Sequence, residues 1–500
     1  MFKTLLGAAT LLVLAPLDAT AQLQVFFGNL HSHTSYSDGS ATPLVAYAHA
    51  RDVAGLDFLA ITEHNHRWAP SQLQTSPELY NGPQATSLIS AANSFTVNGT
   101  FVALYEQEFS SIASGNHANV LEVGDVIMTS DVPNGNWSAL VDTWLPNHLD
   151  SQGQTAILLL NHPATSNSPN TLEYGIDAND LGGEAGLRAR LDPHAQLINI
   201  INGPSHSGDT PGEPSEGEFL RYLNMGLHLA PTADQDNHRE DWGSVVDTRT
   251  GVVTTSLTKP DLLAAMRARH VYATQDRNLR IIVTYNGELM GTRFQGAQVP
   301  AVGSQLNIQV DVADDDEPFA FYTFDVFSDV VGGNERAEVV AQFEADGDGT
   351  FSLDGITYSG GNQYFFIRVA QSDDDGVIVD SAWTAPVWFE PTAVTPATTP
   401  TTSSVILAVD LVAERATITN NGTNTVDLSG WRLVSVLGNQ QFTFPDMSLS
   451  AGQSVVVTSG PSATHNPPAT LRWTTAHVWR NAGDPGRLLD SNNVVRAESQ

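Results

Sequence analysis

The sequence predicts an α/β portion followed by two all-β portions, and three observations predict it. Between about 23 and 275, short apolar runs alternate with stretches of helical pattern, the mark of strand–helix units. From about 279 to 391 the helical periodicity is gone. Strand-like runs at 281–285, 306–312, 319–326 and 364–369 are separated by Gly- and Asp-rich turns. Residues 392–403 form a Pro/Thr-rich linker, extended and semi-rigid, and 404–500 is again strand-like.

Five hundred residues are enough for two to four domains at ~100–200 residues each. Hydrophobic residues make up 41%, enough for real cores, while 22 Lys+Arg against 55 Asp+Glu leave a net charge of −33. Such a chain repels a phosphate backbone and an anionic membrane surface, so no stable nucleic-acid complex is expected. The absence of cysteine excludes disulfides, zinc ribbons, iron–sulfur clusters and thiol nucleophiles; any metal must sit on His, Asp or Glu. The acidity is uneven. Residues 280–390 carry 19 acidic against 4 basic residues, net −15, and 404–500 carry 7 against 6, net −1. The two β portions therefore have different surfaces.

The first element is a targeting segment. Lys3, an apolar run over 5–17 and Ala19-Thr20-Ala21 read as a signal peptide over 1–21, with a mature start near Gln22. The run is too short for a membrane anchor, which needs about 20 apolar residues. No later stretch reads as a membrane span. The expectation is an exported protein, secreted or held at the cell surface.

The elements of the α/β portion end in chemistry-bearing residues. A strand over 25–30 runs into His31-Ser32-His33; in an extended chain, residues i and i+2 point the same way. Ser37-Asp38-Gly39 puts a carboxylate in a turn, and Thr42-Pro43 opens a helix as cap and first residue. A buried strand over 57–62 ends in Glu63-His64-Asn65-His66. A strand over 101–105 ends near Glu106-Gln107-Glu108, with His117 following. A strand over 155–160 ends in Asn161-His162-Pro163, one over 197–201 in Asn202, and one over 229–233 in Asp234-Gln235-Asp236-Asn237-His238. Parallel α/β barrels carry their chemistry on loops at the carboxyl ends of strands. A single histidine there is ordinarily a surface or core residue, as expected for His49, His148, His228, His270, His465 and His477. The joint pattern is not of that kind.

These motifs resemble the polymerase-and-histidinol-phosphatase (PHP) family of metallohydrolases. The likeness is carried by Phe27-Gly28-Asn29-Leu30-His31-Ser32-His33, Ser37-Asp38-Gly39, residues 57–64, Asn161-His162-Pro163 and Asp236-Asn237-His238, and it spans roughly 25–275. It implies a distorted seven-stranded (β/α)7 barrel with two or three metal ions at its mouth. Matched by motif, the implied ligands are His31, His33, Asp38, His64, Glu108, His117, His162, Asp236 and His238. Glu63 stands where the family has Asp. Glu106 and Asp234 lie two positions from Glu108 and Asp236 and compete with them for the same roles.

Six imidazoles and three carboxylates suit two or three ions such as Zn²⁺, Mn²⁺ or Fe²⁺. A bridged pair of ions lowers the pKa of a bound water toward ~7, and the resulting hydroxide can attack phosphorus in line. Arg67 and Arg239 are the candidate phosphate-binding side chains, and His206, with His66, the candidate proton donors to a leaving group. The loops after Asn202 and around Trp242 are expected to wall a pocket. The expected activity is phosphoester hydrolysis on a small or oligomeric substrate. The alternatives are cleavage of carboxylic or carbamate esters by the same fold, and a non-catalytic surface protein with structural metals.

The acidic turns at 314–317, 344–349 and 373–376 are oxygen-rich and form candidate Ca²⁺ loops. The portion around them reads as a β-sandwich, and 404–500 resembles a lamin-tail domain, an immunoglobulin-like sandwich. Trp431 and Trp479 are its expected core anchors. That resemblance implies an attachment role at a cell surface or on an extracellular polymer.

Overall fold

The computed structural model describes residues 22–66, 71–110, 117–133, 135–163, 181, 186–204, 214–332, 337–373, 376–391, 405–422, 424–435, 440–479, 486–490 and 495–499. The expected signal peptide and linker, Arg67 and His206 lie outside these residues. The chain divides into two compact units, Met1–Ala393 and Val394–Gln500.

The first unit is mixed α/β. Its strands are β1 (Gln24–Asn29), β2 (Phe58–His64), β3 (Val102–Ser110), β4 (His117–Leu121), β5 (Leu158–Leu160), β6 (Ala195–Asn202), β7 (Ala230–Asp234), β8 (Arg249–Thr254) and β9 (Val271–Thr274). Strand β2 is buried along its whole length; its first four residues, Phe58 to Ile61, read as a continuous apolar run, and Thr62, Glu63 and His64 carry it into the site. Among the described residues, the helices of eight residues or more are α1 (Pro43–Asp52), α2 (Leu88–Phe95), α3 (Glu216–Asn224) and α4 (Lys259–Arg267). Helix α1 starts where Pro43 fixes φ, and it buries Ala46, Tyr47 and Ala50 along one stripe. In α4 the Thr258 side chain caps Asp261 N, and Leu262, Leu263 and Met266 face the core.

The strand order is β9-β8-β1-β2-β3-β4-β5-β6-β7. The pairs β1–β2, β2–β3, β5–β6 and β6–β7 are parallel. The pairs β3–β4, β4–β5, β1–β8 and β8–β9 are antiparallel. The expected sevenfold β/α alternation is therefore interrupted at β4, which runs antiparallel to β3. The row also turns back on itself. Ser32, just past β1, bridges in parallel to Asn237, just past β7, and the Thr250 hydroxyl of β8 bonds the Ala233 backbone of β7.

The middle portion continues the same sheet. Its described strands of four or more residues are β10 (Arg280–Tyr285), β11 (Ile308–Ala313), β12 (Phe321–Val330), β13 (Glu338–Asp346), β14 (Gly349–Leu353), β15 (Gln363–Ser372), β16 (Ile378–Thr384) and β17 (Val387–Glu390). Strand β16 pairs with β9, so the sheet crosses the expected boundary near 276–278. A second sheet is built on β10, β11 and β14 with the short Glu288–Leu289 strand at its edge; β10 and β11 alternate buried with more exposed residues, the period-two pattern of a half-buried strand. Val283, Val310, Phe324 and Ile367 of the two sheets share one core.

In the second unit, sheets built on Val405–Asp410, Arg415–Asn420 and Ser454–Thr458, and on Arg432–Ser435 and Gly486–Leu489, share a core of Leu407, Ile418, Leu433, Val455, Trp479 and Leu488. Trp479 is the core anchor expected. Trp431 is only partly buried and packs against that core from its edge, a correction that follows from its place at the end of the Ser429-Gly430 turn.

Candidate metal centre

Strand register brings the predicted ligands together. His64 pairs with Glu108 across β2–β3. Because β4 runs antiparallel, its first residue lies on the same rim as the last residues of β3, and Ser110 pairs with His117. The Asn161 N–H bonds His117 O at 2.9 Å, which sets His162 beside them. His33 N bonds Asn237 O at 2.8 Å, which sets Asp236 and His238 beside the His31-Ser32-His33 turn. Asp38 arrives through a tight turn: Gly39 N bonds Thr34 O at 2.9 Å, and a Cβ at Gly39 would lie 2.6 Å from the His33 carbonyl carbon. Only glycine permits that approach.

All nine predicted ligands converge. Glu108 Oε1 lies 3.2 Å from His31 Nε2, 2.9 Å from His117 Nδ1 and 3.4 Å from His162 Nε2. Glu108 Oε2 lies 2.8 Å from His64 Nδ1 and 3.4 Å from His33 Nε2. Asp236 Oδ1 stands 3.2 Å from His31 Nε2 and 3.1 Å from His33 Nε2. Asp38 stands 3.5 Å from His64 Nε2 and 3.3 Å from His238 Nε2. The donors fall into four overlapping groups: His33, Asp38, His64 and His238; His31, His33 and Glu108; His31, His162 and Asp236; His64, Glu108 and His117.

The donor set fits divalent ions on three grounds. First, the imidazole nitrogens of His31 and His33 face each other at 3.3 Å. Second, His238 Nδ1 lies 2.8 Å from Asp236 O; donation there puts the proton on Nδ1 and points the Nε2 lone pair at Asp38. Third, Asp38 Oδ1 and Asp236 Oδ1 are buried and receive no hydrogen bond. Buried carboxylate oxygens without donors are costly unless a cation meets them. His162 and Asp236 also hold positive φ, +29° and +52°, and such backbone conformations in non-glycine residues concentrate at functional sites.

Electrostatics follows the crowding. Burial pulls the His31 imidazole down, but Asp236 and Glu108 outweigh it and hold it at about 9. Burial, with His238 and His64 alongside, holds His33 down at about 3. Burial would raise Asp38, and its histidine neighbours hold it well below the usual carboxylate range instead.

A supporting shell escaped the motif reading. The Glu63 carboxylate accepts from Thr34 N at 3.1 Å and from the Thr34 and Ser37 hydroxyls, so it ties down both ends of the loop between His33 and Asp38. Asn161 Nδ2 donates to Glu108 Oε1 at 2.9 Å and to Asn119 Oδ1 at 2.8 Å. Trp242 was expected at a pocket wall. It is fully buried instead, and its indole N–H donates to His33 O at 3.0 Å. Apolar bulk and a single donor make it a clamp under the site rather than a lining residue. Asn-His and Asp-x-His motifs flag ligands; nothing local flags a tryptophan that reaches 209 residues back along the chain.

The two ambiguous carboxylates separate cleanly. Asp234 accepts from Leu30 N at 2.6 Å and from Asn199 and Thr232, and it belongs to none of the four donor groups. Glu106 is wholly buried, and neither of its oxygens has a hydrogen-bond partner. Burial, then Glu122 and Asp234, push it well above the usual range. Arg239 is exposed beside His238. The His66 ring lies 5.6 Å from that of His64 and 6.5 Å from that of His117.

Residues 399–500 match the model of the Lamin Tail Domain. No curated protein matches the chain. Among solved structures, a two-domain protein of Bacteroides vulgatus containing a predicted PHP-like metal-dependent phosphoesterase aligns at 15% identity and TM-score 0.39, over 75% of this chain and 96% of its own. The YadV chaperone aligns at 6% identity and TM-score 0.16, covering 43% of this chain and 96% of its own. The chaperone DraB of E. coli gives 12% and 0.16, with 45% and 98% covered. At these TM-scores the likenesses bear on no particular residue.

Proposed function

We propose that this protein is an exported hydrolase that cleaves phosphoesters with two or three divalent ions held on a distorted PHP-type barrel. The observation that carries the reading is the convergence of six imidazoles and three carboxylates from separate strand ends, with Glu108 between two sets of histidines. Zn²⁺, Mn²⁺ and Fe²⁺ all suit such nitrogen–oxygen sets. When bound, the ions would polarise a phosphoryl oxygen and make a water acidic enough to ionise near neutral pH.

The chain's own residues do the rest. Glu108 directs its two oxygens to different histidine sets, and Asn161 holds its orientation. His238 keeps its proton on Nδ1, against Asp236 O, and so presents Nε2 on the Asp38 side. Glu63 and Trp242 fix the loop and the strand end that carry His33 and Asp38. Arg239, exposed beside His238, is placed to meet an anionic substrate at the rim; Arg67 and His206 are retained as candidates for phosphate binding and leaving-group protonation. The 1–21 segment would direct export. The unit that matches the Lamin Tail Domain would serve attachment rather than chemistry.

The test uses the protein from Gln22 onward, supplied with Mn²⁺ or Zn²⁺. Hydrolysis of a phosphomonoester, a phosphodiester and a carboxylic ester is compared at equal concentration, before and after chelation. Preference for either phosphoester, lost on chelation while the fold persists, is the expected result. Preference for the carboxylic ester would keep the site and overturn the substrate class. No turnover at all, with unfolding on chelation, would make the ions structural.

A further inference from the structure

Asn29 is the last residue of β1, two positions before His31. It is 1% exposed, and all four hydrogen-bonding positions of its amide are used. Oδ1 accepts from His31 N at 3.2 Å and from Gln235 N at 3.1 Å. Nδ2 donates to Asn237 Oδ1 at 2.9 Å and to the Ser32 hydroxyl at 3.2 Å. A single side-chain oxygen thus holds the main chain of His31 and the main chain just before Asp236, although Gln235 lies 206 residues from Asn29 in sequence.

The partner amide is itself held from behind. Asn237 Nδ2 donates to Asp241 Oδ1 at 3.2 Å and to Gln235 Oε1 at 3.3 Å, and Gly243 N donates to Asn237 Oδ1 at 3.4 Å. These contacts turn the Asn237 oxygen toward Asn29. Gln235 Nε2 in turn donates to Val246 O at 2.8 Å. The two chain ends need such a tie. Where they meet, Asp236 Oδ1 lies 3.2 Å from His31 Nε2 and 3.1 Å from His33 Nε2, and it receives no hydrogen bond. Ligand atoms crowded in this way do not hold one another in place. A neutral amide behind them fixes both ends without adding charge.

We infer that Asn29 is a positioning residue of the metal centre: its Oδ1 sets the spacing between the ligands that follow β1 and those that follow β7. The role rests on the donor set being a metal centre and not on the substrate class. It also separates the donor groups. His31, His162 and Asp236 form a group with ligands from both chain ends, as do His33, Asp38, His64 and His238; His64, Glu108 and His117 form a group with ligands from neither. A contact outside the ligand set acts on an ion through the ligands it orients. Loss of Asn29 should therefore loosen the groups that draw on both ends and spare the one that draws on neither.

The test is titration of the metal-free protein from Gln22 onward with Co²⁺, followed by its visible absorption. Asn29→Ala should weaken binding ~10–100-fold in the groups that draw on both ends, with one ion kept at its original affinity. Asn29→Asp keeps both acceptor contacts and loses only the donor side, so it should recover most of that loss. Asn29→Ser ends one bond short of both N–H groups; it should behave as Asn29→Ala does, and it replaces that variant if the alanine protein does not fold. Unchanged binding in the alanine or serine variant overturns the role. Equal weakening of every ion, the result of a general loosening of the fold, overturns it as well. Binding by Asn29→Asp no tighter than by the alanine or serine variant overturns the shared oxygen as its basis. No Co²⁺ bound by the unaltered chain overturns the metal centre itself, and the role of Asn29 with it.

Discussion

Asp236 and Glu390 are both buried carboxylates of the first unit, and they are satisfied in opposite ways. Glu390, at the end of β17, meets cations and donors that the chain supplies: Arg293 on both oxygens at 3.0 Å, Gln295 at 2.7 Å and His228 at 3.0 Å. His228 in turn faces Asp192 at 2.9 Å. Asp236 has Asn202 on one oxygen and, on the other, three histidine nitrogens within 3.6 Å that form no aligned hydrogen bond. A carboxylate that the protein neutralises itself is part of the scaffold. One that faces converging imidazoles is arranged for a cation from outside. The residue types are the same, and the direction of the lone pairs tells them apart.

The largest effect should come from breaking the cation-seeking side. His31→Ala or Asp236→Ala should remove bound metal and hydrolysis together, by more than the ~10–100-fold that loss of an outer-shell partner costs, with the melting midpoint of the metal-free protein nearly unchanged. Metal content by elemental analysis and turnover on the same samples check this. Full activity in either variant would break the comparison.

The self-satisfied side should respond in stability instead. Glu390→Ala strands Arg293 and His228 and should cost about 3–5 kcal/mol, the usual penalty for half of a buried pair, while turnover per folded molecule is retained. The pH dependence has a definite sign. Burial would raise Glu390, but His228, Gln295 and Arg293 hold it down at about 2. A carboxylate depressed in the folded state contributes stability that is full above its ordinary pKa near 4.5 and is lost as pH falls through about 2. Denaturant midpoints between pH 5 and 2 should therefore fall more steeply in the parent than in Glu390→Gln. Parallel curves would show that Glu390 is not held down.

The site was legible where one residue type recurred at strand ends, and illegible where register decided. His31, His33, His64, His162 and His238 follow apolar runs, so the run itself announces them. His117 does not: it opens a strand, and it reaches the rim only because β4 runs antiparallel to β3. Its motif match found it, while the expectation of uniform β/α alternation would have placed it elsewhere. The choice of Glu108 over Glu106, and of Asp236 over Asp234, also had no local signal. Glu106 and Glu108 share a strand face at i and i+2 and differ in what neighbouring strands bring to them, while Asp236 lies past the end of β7 and is turned by its positive φ. The partners of the site were hidden for the same reason. Glu63, Asn119 and Trp242 act across 29, 42 and 209 residues of sequence.

Glu63 sharpens the comparison at intermediate size. Its carboxylate touches Thr34 and Ser37 rather than the ligand group itself, so it positions the loop bearing Asp38. Glu63→Gln keeps the shape but removes the charge and makes one oxygen a donor, so that only one of the two ends can still accept from Thr34 N and the loop hydroxyls. Activity should fall ~10–100-fold, with metal affinity falling in step. A loss of turnover with metal affinity untouched would mean that Glu63 acts on substrate and not on the loop.

The smallest effect is expected from the second unit, which contains histidine–carboxylate contacts of its own. Glu414 accepts from Val478 N at 2.9 Å and from the Ser459 hydroxyl, and its other oxygen lies 3.2 Å from His477 Nδ1. As with Glu390, the chain supplies these partners, and among the described residues of this unit no group of three metal-ligating side chains forms. The unit has its own core, so removing it should leave the first unit folded. Truncation after Ala393 should therefore leave turnover of small substrates essentially unchanged, as expected of independent domains, and His465→Ala should change neither metal content nor rate. Attachment to cells or polymer is where truncation should register. A large loss of turnover on small substrates would instead make the second unit part of the catalytic body. The contrast between self-satisfied and cation-seeking carboxylates would then no longer mark where the chemistry stops.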